Sequence, residues 1–232
     1  RSFQGEINIS GSKSESNRLL VIRAYTSFFK IINISDSDDT NTMISALKSN
    51  DKEINIGHAG TAMRFLTSYF SSILNSSIIL TGSARMKNRP ISILVDALNN
   101  LGADIEYIDN IGFPPIRLRG KLISNDTVSL PANVSSQYIS SLMMLGVSLK
   151  EGLKIKISTK ITSLPYVQMT KKIIERVGGK VVIQSDNIII KPFQSDNISD
   201  QIVESDWSSA SYFFSLVALS DYSEITLSTF LN

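Results

Sequence analysis

Two segments of the sequence share one pattern: PISILVDALNNLGADIEYI at residues 90–108 and PYVQMTKKIIERVGGKVVI at residues 165–183. Each places Pro in the first turn of a predicted helix and Gly just after the helix end. The β-branched residues that follow predict a strand pair. The interval is 75 residues at the Pro and 76 at the Gly (Gly102 and Gly178), which indicates an internal repeat.

Strand-like and helix-like segments alternate along the chain on both sides of these two segments. We predict strands at 6–10, 30–35, 53–56 and 77–80, helices at 13–27, 40–47, 60–70 and 90–101, a hairpin of 103–108 with 116–118, and another within 180–191. The repeating unit is strand, helix, strand, helix, strand, strand. Three units fit between about residues 5 and 203, the first somewhat shorter, and a further helix starts near Asp206. This order predicts an α/β (α+β) fold.

Composition excludes several classes of protein. The 232 residues are 42% hydrophobic and 19% charged, which is typical of a globular chain and not of a disordered one. Cys is absent, so disulfides, thiolate zinc sites and a cysteine nucleophile are excluded. A net charge of +2 is too balanced for a general nucleic-acid binder, and no apolar run is long enough to span a membrane.

Hydroxyl-rich or cationic clusters fall at the predicted helix starts. In SGSKSESNR, residues 10–18, Lys13, Ser14 and Arg18 lie at a helix N-terminus, where free amides favour an anion. The alternative is an ordinary Ser-capped helix. The other clusters are GHAGTAMR at 57–64, TGSARMKNRP at 81–90, SSQ at 135–137 and SLPY at 163–166. Their alternatives are a tight turn with a structural Arg, a solvated basic loop and simple N-caps.

The single His and one acidic run are not assigned a catalytic or metal-binding role. His58, the sole His, has no partner pattern and is taken as a turn residue. The acidic run at 36–39 fails the calcium-loop pattern, because Asn41 and Leu47 stand where Gly and Glu are needed. We therefore predict helix capping by Asp38 or Asp39 and no metal site. Symmetric repeats would bring the remaining clusters to one end of the domain, around a polyanionic small molecule.

At these residues the chain resembles the 5-enolpyruvylshikimate-3-phosphate synthases, the enolpyruvyl transferases of the shikimate pathway of aromatic amino acid biosynthesis. The resemblance runs along the whole chain, through residues 11–18, 36–40, 59–65, 85–91, 135–138, 165–166 and 206–212. It implies two domains, each of three βαβαββ units around a pseudo-threefold axis, as half of an inside-out α/β barrel. It also implies transfer of the enolpyruvyl group of phosphoenolpyruvate to the 5-hydroxyl of shikimate 3-phosphate, with release of phosphate and no cofactor.

The resemblance also implies the site residues. For shikimate 3-phosphate they are Lys13, Ser14, Arg18, Ser135, Ser136, Gln137, Ser163 and Tyr166. For phosphoenolpyruvate they are Lys13, Gly60, Arg85 and Gln137. Lys13 contacts both substrates and assists proton transfer. His58 stands where Asn is common in the family, and Phe65 where some members have Pro.

The family's catalytic Asp and Glu lie on the second domain. We therefore expect residues 1–12 to enter from that domain, 13–203 to form the three-unit domain, and 204–232 to begin the second domain. We expect the chain alone to bind shikimate 3-phosphate without turnover, and the full-length enzyme to be a cytoplasmic monomer. The alternatives are an enolpyruvyl transferase acting on UDP-N-acetylglucosamine, a non-catalytic binding half, and a structural repeat protein without a ligand.

Overall fold

The computed structural model describes residues 2–26, 29–131, 135–158, 161, 163–193 and 197–230. Its helices are α1 (Lys13–Tyr25), α2 (Asp38–Lys48), α3 (Gly60–Ser72), α4 (Ala84–Lys87), α5 (Ser92–Asn100), α6 (Ser136–Gly146), α7 (Leu164–Arg176) and α8 (Trp207–Ala218). Its strands are β1 (Ser2–Ile7), β2 (Ile31–Ile32), β3 (Glu53–Asn55), β4 (Ser77–Thr81), β5 (Asp104–Tyr107), β6 (Ile116–Arg119), β7 (Thr127–Leu130), β8 (Leu153–Ile157), β9 (Val181–Ile183), β10 (Asn187–Ile190), β11 (Gln201–Ile202) and β12 (Tyr222–Leu227).

Two four-stranded sheets have the same topology. Their strand orders are β3-β4-β6-β5 and β7-β8-β10-β9. In each sheet the first two strands run parallel across a helix, and an antiparallel hairpin completes the sheet. The two segments that revealed the repeat supply the second helix and the first hairpin strand of each unit, α5 with β5 and α7 with β9. The α/β repeat fold and both predicted hairpins are therefore confirmed.

The first unit differs from the predicted consecutive arrangement. In the described part of the chain, β2 pairs in parallel with β11, from the far end of the repeat region, and β1 pairs in parallel with β12. The predicted strand at 30–35 is regular over two residues alone, and the predicted strand at 6–10 begins earlier and ends at Ile7. Parallel partners must be joined by a long crossover, so local sequence cannot specify which strands meet.

Helix boundaries largely follow the prediction, with one correction. The N-cap of α2 is Ser37, whose side chain accepts a hydrogen bond from the Thr40 amide at 3.4 Å. Asp38 and Asp39 instead occupy the first turn, where carboxylates favour the positive end of the helix dipole. The predicted end of α1 at residue 27 lies outside the described residues.

Helices α1, α3 and α6 lie in the interior and pack on one another. Their buried surfaces combine large apolar side chains with small hydroxyl residues. Ser68 and Ser141 join α3 to α6 by a 2.7 Å hydroxyl contact, and Ser141 donates to the Arg64 carbonyl at 2.8 Å. None of the helices in the described ranges is long and apolar enough to cross a membrane.

Two connecting segments, here called the crossings, lie side by side: one leads from β1 into α1 through Gly11, and the other from β11 into α8 through Ser205. Gly11 forms a bridge with Ser205, and the Ser12 amide donates to the Glu204 carbonyl at 2.8 Å. Gly11 is required by close approach, because a Cβ there would overlap the Asn33 carbonyl oxygen. Backbone cannot move aside as a flexible side chain can.

We therefore predict that Gly11→Ala lowers the free energy of unfolding by about 1–3 kcal/mol. Gly5→Ala is the matched control, since its Cβ would meet nothing within 4 Å and the unfolded-state effect of Ala is shared. Urea unfolding followed by circular dichroism measures both variants. Equal midpoints for the two variants would contradict the close packing of the crossings.

Candidate anion-binding site

A cleft of about 350 Å³ opens where the N-termini of the interior helices meet. Helices α1, α3 and α6 each follow the first strand of a repeat unit, so their N-termini lie at the same end of the fold. The residues that line the cleft are Lys13, Ser14, Arg18, Thr61, Arg89, Ser135, Ser136, Gln137 and Tyr166. Seven of the eight residues predicted to hold shikimate 3-phosphate are in this set.

The N-termini of α3 and α6 are linked at the cleft. The Gln137 side-chain amide donates to the Thr61 hydroxyl at 3.3 Å, and Ser135 caps α6 by accepting from the Gln137 backbone amide at 3.3 Å. Thr61 was not among the predicted site residues, although it lies in the predicted anion-binding motif. The start of α6 thus lines the cleft with Ser135, Ser136 and Gln137, and the positive end of a helix dipole suits an anion.

Arg18 is the most deeply buried cation of the cleft, with 2% of its surface exposed. Its Nε donates to Thr170 Oγ1 at 2.7 Å, its Nη1 to the Ser14 carbonyl at 2.8 Å, and its Nη2 to Ser140 Oγ at 3.2 Å. All of these partners are neutral. Burial lowers the pKa of the Arg18 guanidinium to about 10, so it remains charged at neutral pH.

Two aromatic rings flank the Arg18 guanidinium. Its Cζ lies 5.4 Å from the centroid of Phe65 and 5.9 Å from that of Tyr166. Ring faces attract a cation but do not neutralise it. Within the described residues no carboxylate forms an ion pair with Arg18, so its positive charge is available to a ligand.

Lys13 lies at the mouth of the cleft. Its Nζ is 3.5 Å from Asp39 Oδ2, and both side chains are partly exposed. Because an exposed pair of this kind contributes little to stability, Lys13 can turn to a bound anion at small cost.

The residues predicted to bind phosphoenolpyruvate are only partly brought together. Gly60 lies beneath the guanidinium of Arg89, and a Cβ at Gly60 would overlap Arg89 Nη1. Arg85, the predicted ligand, is exposed on α4 and does not line the cleft, whereas Arg89 does. The sequence contained the signal, three cations in the loop 81–90, but could not show which of them points inward.

Ser163 also lies outside the cleft lining. It is the N-cap residue of α7, is exposed, and adopts a left-handed conformation with φ of 58° without a side-chain cap hydrogen bond. Tyr166, one turn later, does line the cleft. Of the two predicted residues in the SLPY segment, Tyr166 therefore lines the cleft and Ser163 does not.

Arg64 and His58 have structural contacts. Arg64 is buried and donates to the carbonyls of Gly60 at 3.3 Å and Pro90 at 3.2 Å, which joins the start of α3 to the segment before α5. Burial lowers the pKa of its guanidinium. His58 lies in an exposed turn, with Nδ1 2.8 Å from the hydroxyl of Ser83, the N-cap of α4.

The repeated α/β fold of this chain is shared with a solved structure. The solved structure of EPSP synthase from Acinetobacter baumannii has a TM-score of 0.82 to this chain at 20% identity, and the match covers 99% of this chain and 57% of the other.

The sequence defines the family. The protein-family model described as EPSP synthase (3-phosphoshikimate 1-carboxyvinyltransferase) matches residues 48–231 of this chain. The 3-phosphoshikimate 1-carboxyvinyltransferase of Bacteroides fragilis strain YCH46 is 45% identical over 226 residues, covering 97% of this chain and 55% of that protein. That of Colwellia psychrerythraea is 38% identical over 248 residues, covering 94% of this chain and 58% of that protein. The chain belongs to the EPSP synthase family, and it spans about half the length of the curated relatives it matches.

The neutral surroundings of Arg18 predict a conflict between stability and binding. Arg18→Met removes a buried charge, while Ser140 and Thr170 keep their mutual 2.8 Å contact. We expect the free energy of unfolding to stay within about 0.5 kcal/mol of the unmodified chain or to rise, since the substitution removes the desolvation cost of a buried, unpaired charge along with its hydrogen bonds. Urea unfolding measures this. A loss above about 2 kcal/mol would show instead that Arg18 contributes a net stabilising interaction.

Proposed function

We propose that this chain carries the shikimate 3-phosphate site of a 3-phosphoshikimate 1-carboxyvinyltransferase. The reaction moves the enolpyruvyl group of phosphoenolpyruvate to the 5-hydroxyl of shikimate 3-phosphate and releases phosphate. The observation that carries the proposal is the buried Arg18, charged and without a carboxylate partner in the described structure, in a cleft that also contains Lys13 and Arg89. Such a site favours a small molecule with more than one anionic group.

The two anionic groups of shikimate 3-phosphate match two parts of the cleft. The N-terminus of α6 carries Ser135, Ser136 and Gln137, whose polar side chains, together with the positive end of the helix dipole, suit the phosphate. The planar guanidinium of Arg18 suits the planar carboxylate, with Ser14 and Tyr166 beside it. Ser163 is proposed to join the phosphate contacts, which requires its side chain to turn toward the cleft.

Phosphoenolpyruvate would bind next to the first substrate. We assign Lys13, Gly60, Arg85 and Gln137 to it, with Arg89 added because it covers Gly60. Arg85 must move inward to take part. Holding two anionic substrates together supplies positioning and charge compensation, which are large contributions to rate.

The chemistry needs proton transfer as well as binding. The 5-hydroxyl oxygen attacks C2 of phosphoenolpyruvate while C3 gains a proton, giving a tetrahedral intermediate. Loss of phosphate from C2 and of one proton from C3 then re-forms the C2=C3 double bond, which leaves the enolpyruvyl group as an enol ether on the 5-oxygen. Lys13 assists proton transfer in this scheme. The described residues that line the cleft include no carboxylate to accept the hydroxyl proton, so we propose that these 232 residues bind substrate without turnover.

We propose the same domain division as the sequence predicted: residues 1–12, 13–203 and 204–232. The six-residue parallel pairing of β1 with β12, and the adjacent crossings at Gly11 and Ser205, support it. Helix α8 is apolar, yet Ala210 is its one buried residue, and Trp207 is 56% exposed. The additional half present in the longer relatives is proposed to cover α8, in a full-length enzyme that is a cytoplasmic monomer binding neither nucleic acid nor membrane.

The binding half of the proposal predicts a defined ligand preference. Isothermal titration calorimetry should show that shikimate 3-phosphate binds the chain at least about ten-fold more tightly than shikimate or inorganic phosphate, because each of these lacks one anionic contact. UDP-N-acetylglucosamine should release no heat. Arg18→Met should abolish the preference over inorganic phosphate, because Arg18 is proposed to meet the carboxylate, and should leave the preference over shikimate, which differs only in the phosphate. No heat with shikimate 3-phosphate would contradict the proposal and favour a structural repeat protein.

The catalytic half of the proposal predicts no turnover by the isolated chain. A phosphate-release assay with both substrates should give no rate above background, while shikimate 3-phosphate still binds. A full-length relative such as the Bacteroides fragilis protein serves as the positive control. Phosphate release by the 232-residue chain would show that a proton acceptor lies within it.

A further inference from the structure

Arg18 is held by a pair of buried hydroxyls that no sequence motif marked. Ser140 lies in the middle of α6 and Thr170 in the middle of α7, and both side chains are fully buried at 0% exposure. Their oxygens are 2.8 Å apart. Together they face two donors of the guanidinium, Nε and Nη2.

The hydrogen bonds fix where each hydroxyl proton lies. Thr170 has one proton, and it donates that proton to the Tyr166 carbonyl at 2.8 Å. In the Ser140–Thr170 contact Ser140 must therefore be the donor. Thr170 Oγ1 then accepts from Arg18 Nε and Ser140, and Ser140 Oγ accepts from Arg18 Nη2. Both hydroxyls are satisfied, and neither can swing away without leaving a buried donor unpaired.

This arrangement occupies a fork of the guanidinium that a carboxylate commonly fills in proteins. Two hydroxyls fill it here without adding negative charge. An arginine has five N–H donors. Three have partners in the described structure, those to Thr170, Ser140 and the Ser14 carbonyl, so two remain for a ligand.

We infer that Ser140 and Thr170 are positioning residues, which orient Arg18 and leave its charge uncompensated for the carboxylate of the substrate. The inference rests on the proposed binding of shikimate 3-phosphate. A protein carboxylate in the same place would hold Arg18 equally well but would compete with the substrate for its charge. Neutral hydroxyls from α6 and α7 give orientation without that competition.

The test compares Thr170→Val with Thr67→Val. Thr67 is equally buried at 0% exposure and donates to the carbonyl one turn earlier, that of Met63, at 2.6 Å. It therefore reproduces the loss of a buried helix hydroxyl without touching Arg18. Calorimetry should show that Thr170→Val weakens shikimate 3-phosphate binding about ten-fold or more, because Arg18 Nε loses its acceptor, whereas Thr67→Val leaves the Kd within about two-fold.

Two further variants separate the hydroxyl from the packing. Thr170→Ser keeps the hydroxyl and should bind within about two-fold of the unmodified chain, and Ser140→Ala should lose about three-fold, because its contact with Arg18 is longer. Thermal unfolding confirms that each variant folds. If Thr170→Val does not fold, the other two variants decide the test. The inference is overturned if Ser140→Ala binds shikimate 3-phosphate as tightly as the unmodified chain does, or if Thr170→Ser binds it ten-fold more weakly.

The ligand supplies a second readout. The carboxamide derivative of shikimate 3-phosphate lacks the charge that Arg18 is positioned to meet. Thr170→Val and the unmodified chain should bind this derivative equally, so that the loss is confined to the carboxylate ligand. An equal loss for both ligands would assign Thr170 a merely structural role. No binding of shikimate 3-phosphate by the unmodified chain would instead refute the proposed function itself.

Discussion

A cation removed from water without a partner of opposite charge is the constraint on which this structure depends. Arg18 is almost fully buried, and a desolvated charge is costly unless its hydrogen bonds are made. The chain meets this cost with neutral partners on α1, α6 and α7 and with two aromatic rings. Three helices must therefore hold fixed positions around one guanidinium, and the repeat architecture supplies that arrangement.

The interior follows from the same requirement. Helices that approach one another around a polar group cannot be lined by large apolar side chains alone, and serines and threonines occupy the contacts between them. Ser68, Ser141, Ser140 and Thr170 are all buried and all hydrogen-bonded. A polar network of this kind is stabilising only when every member is satisfied, which makes the positions of α3, α6 and α7 interdependent. The shape of the cleft thus depends on the core beneath it.

Sequence was sufficient wherever the signal was local. The Pro and Gly spacing predicted two repeat units, the helix-start clusters predicted an anion site at one end of the domain, and the family resemblance named seven of the residues that line the cleft, from Lys13 to Tyr166. Prediction from sequence failed where a contact depends on residues that are far apart along the chain. The pairing of β2 with β11 joins residues about 170 apart, and the choice between Arg85 and Arg89 depends on how one loop folds over Gly60. Ser140 and Thr170 gave no signal, because a hydroxyl in mid-helix is indistinguishable from an ordinary buried residue until its partner is known.

The most direct test of the account is the crystal structure of the chain grown with shikimate 3-phosphate. We predict one molecule in the cleft, with its carboxylate on Arg18 and its phosphate at the N-terminus of α6 near Ser135 and Ser136. The Ser140–Thr170 contact should be unchanged. A ligand bound elsewhere, such as the open cleft between α2 and β3, or one whose carboxylate does not contact Arg18, would contradict it.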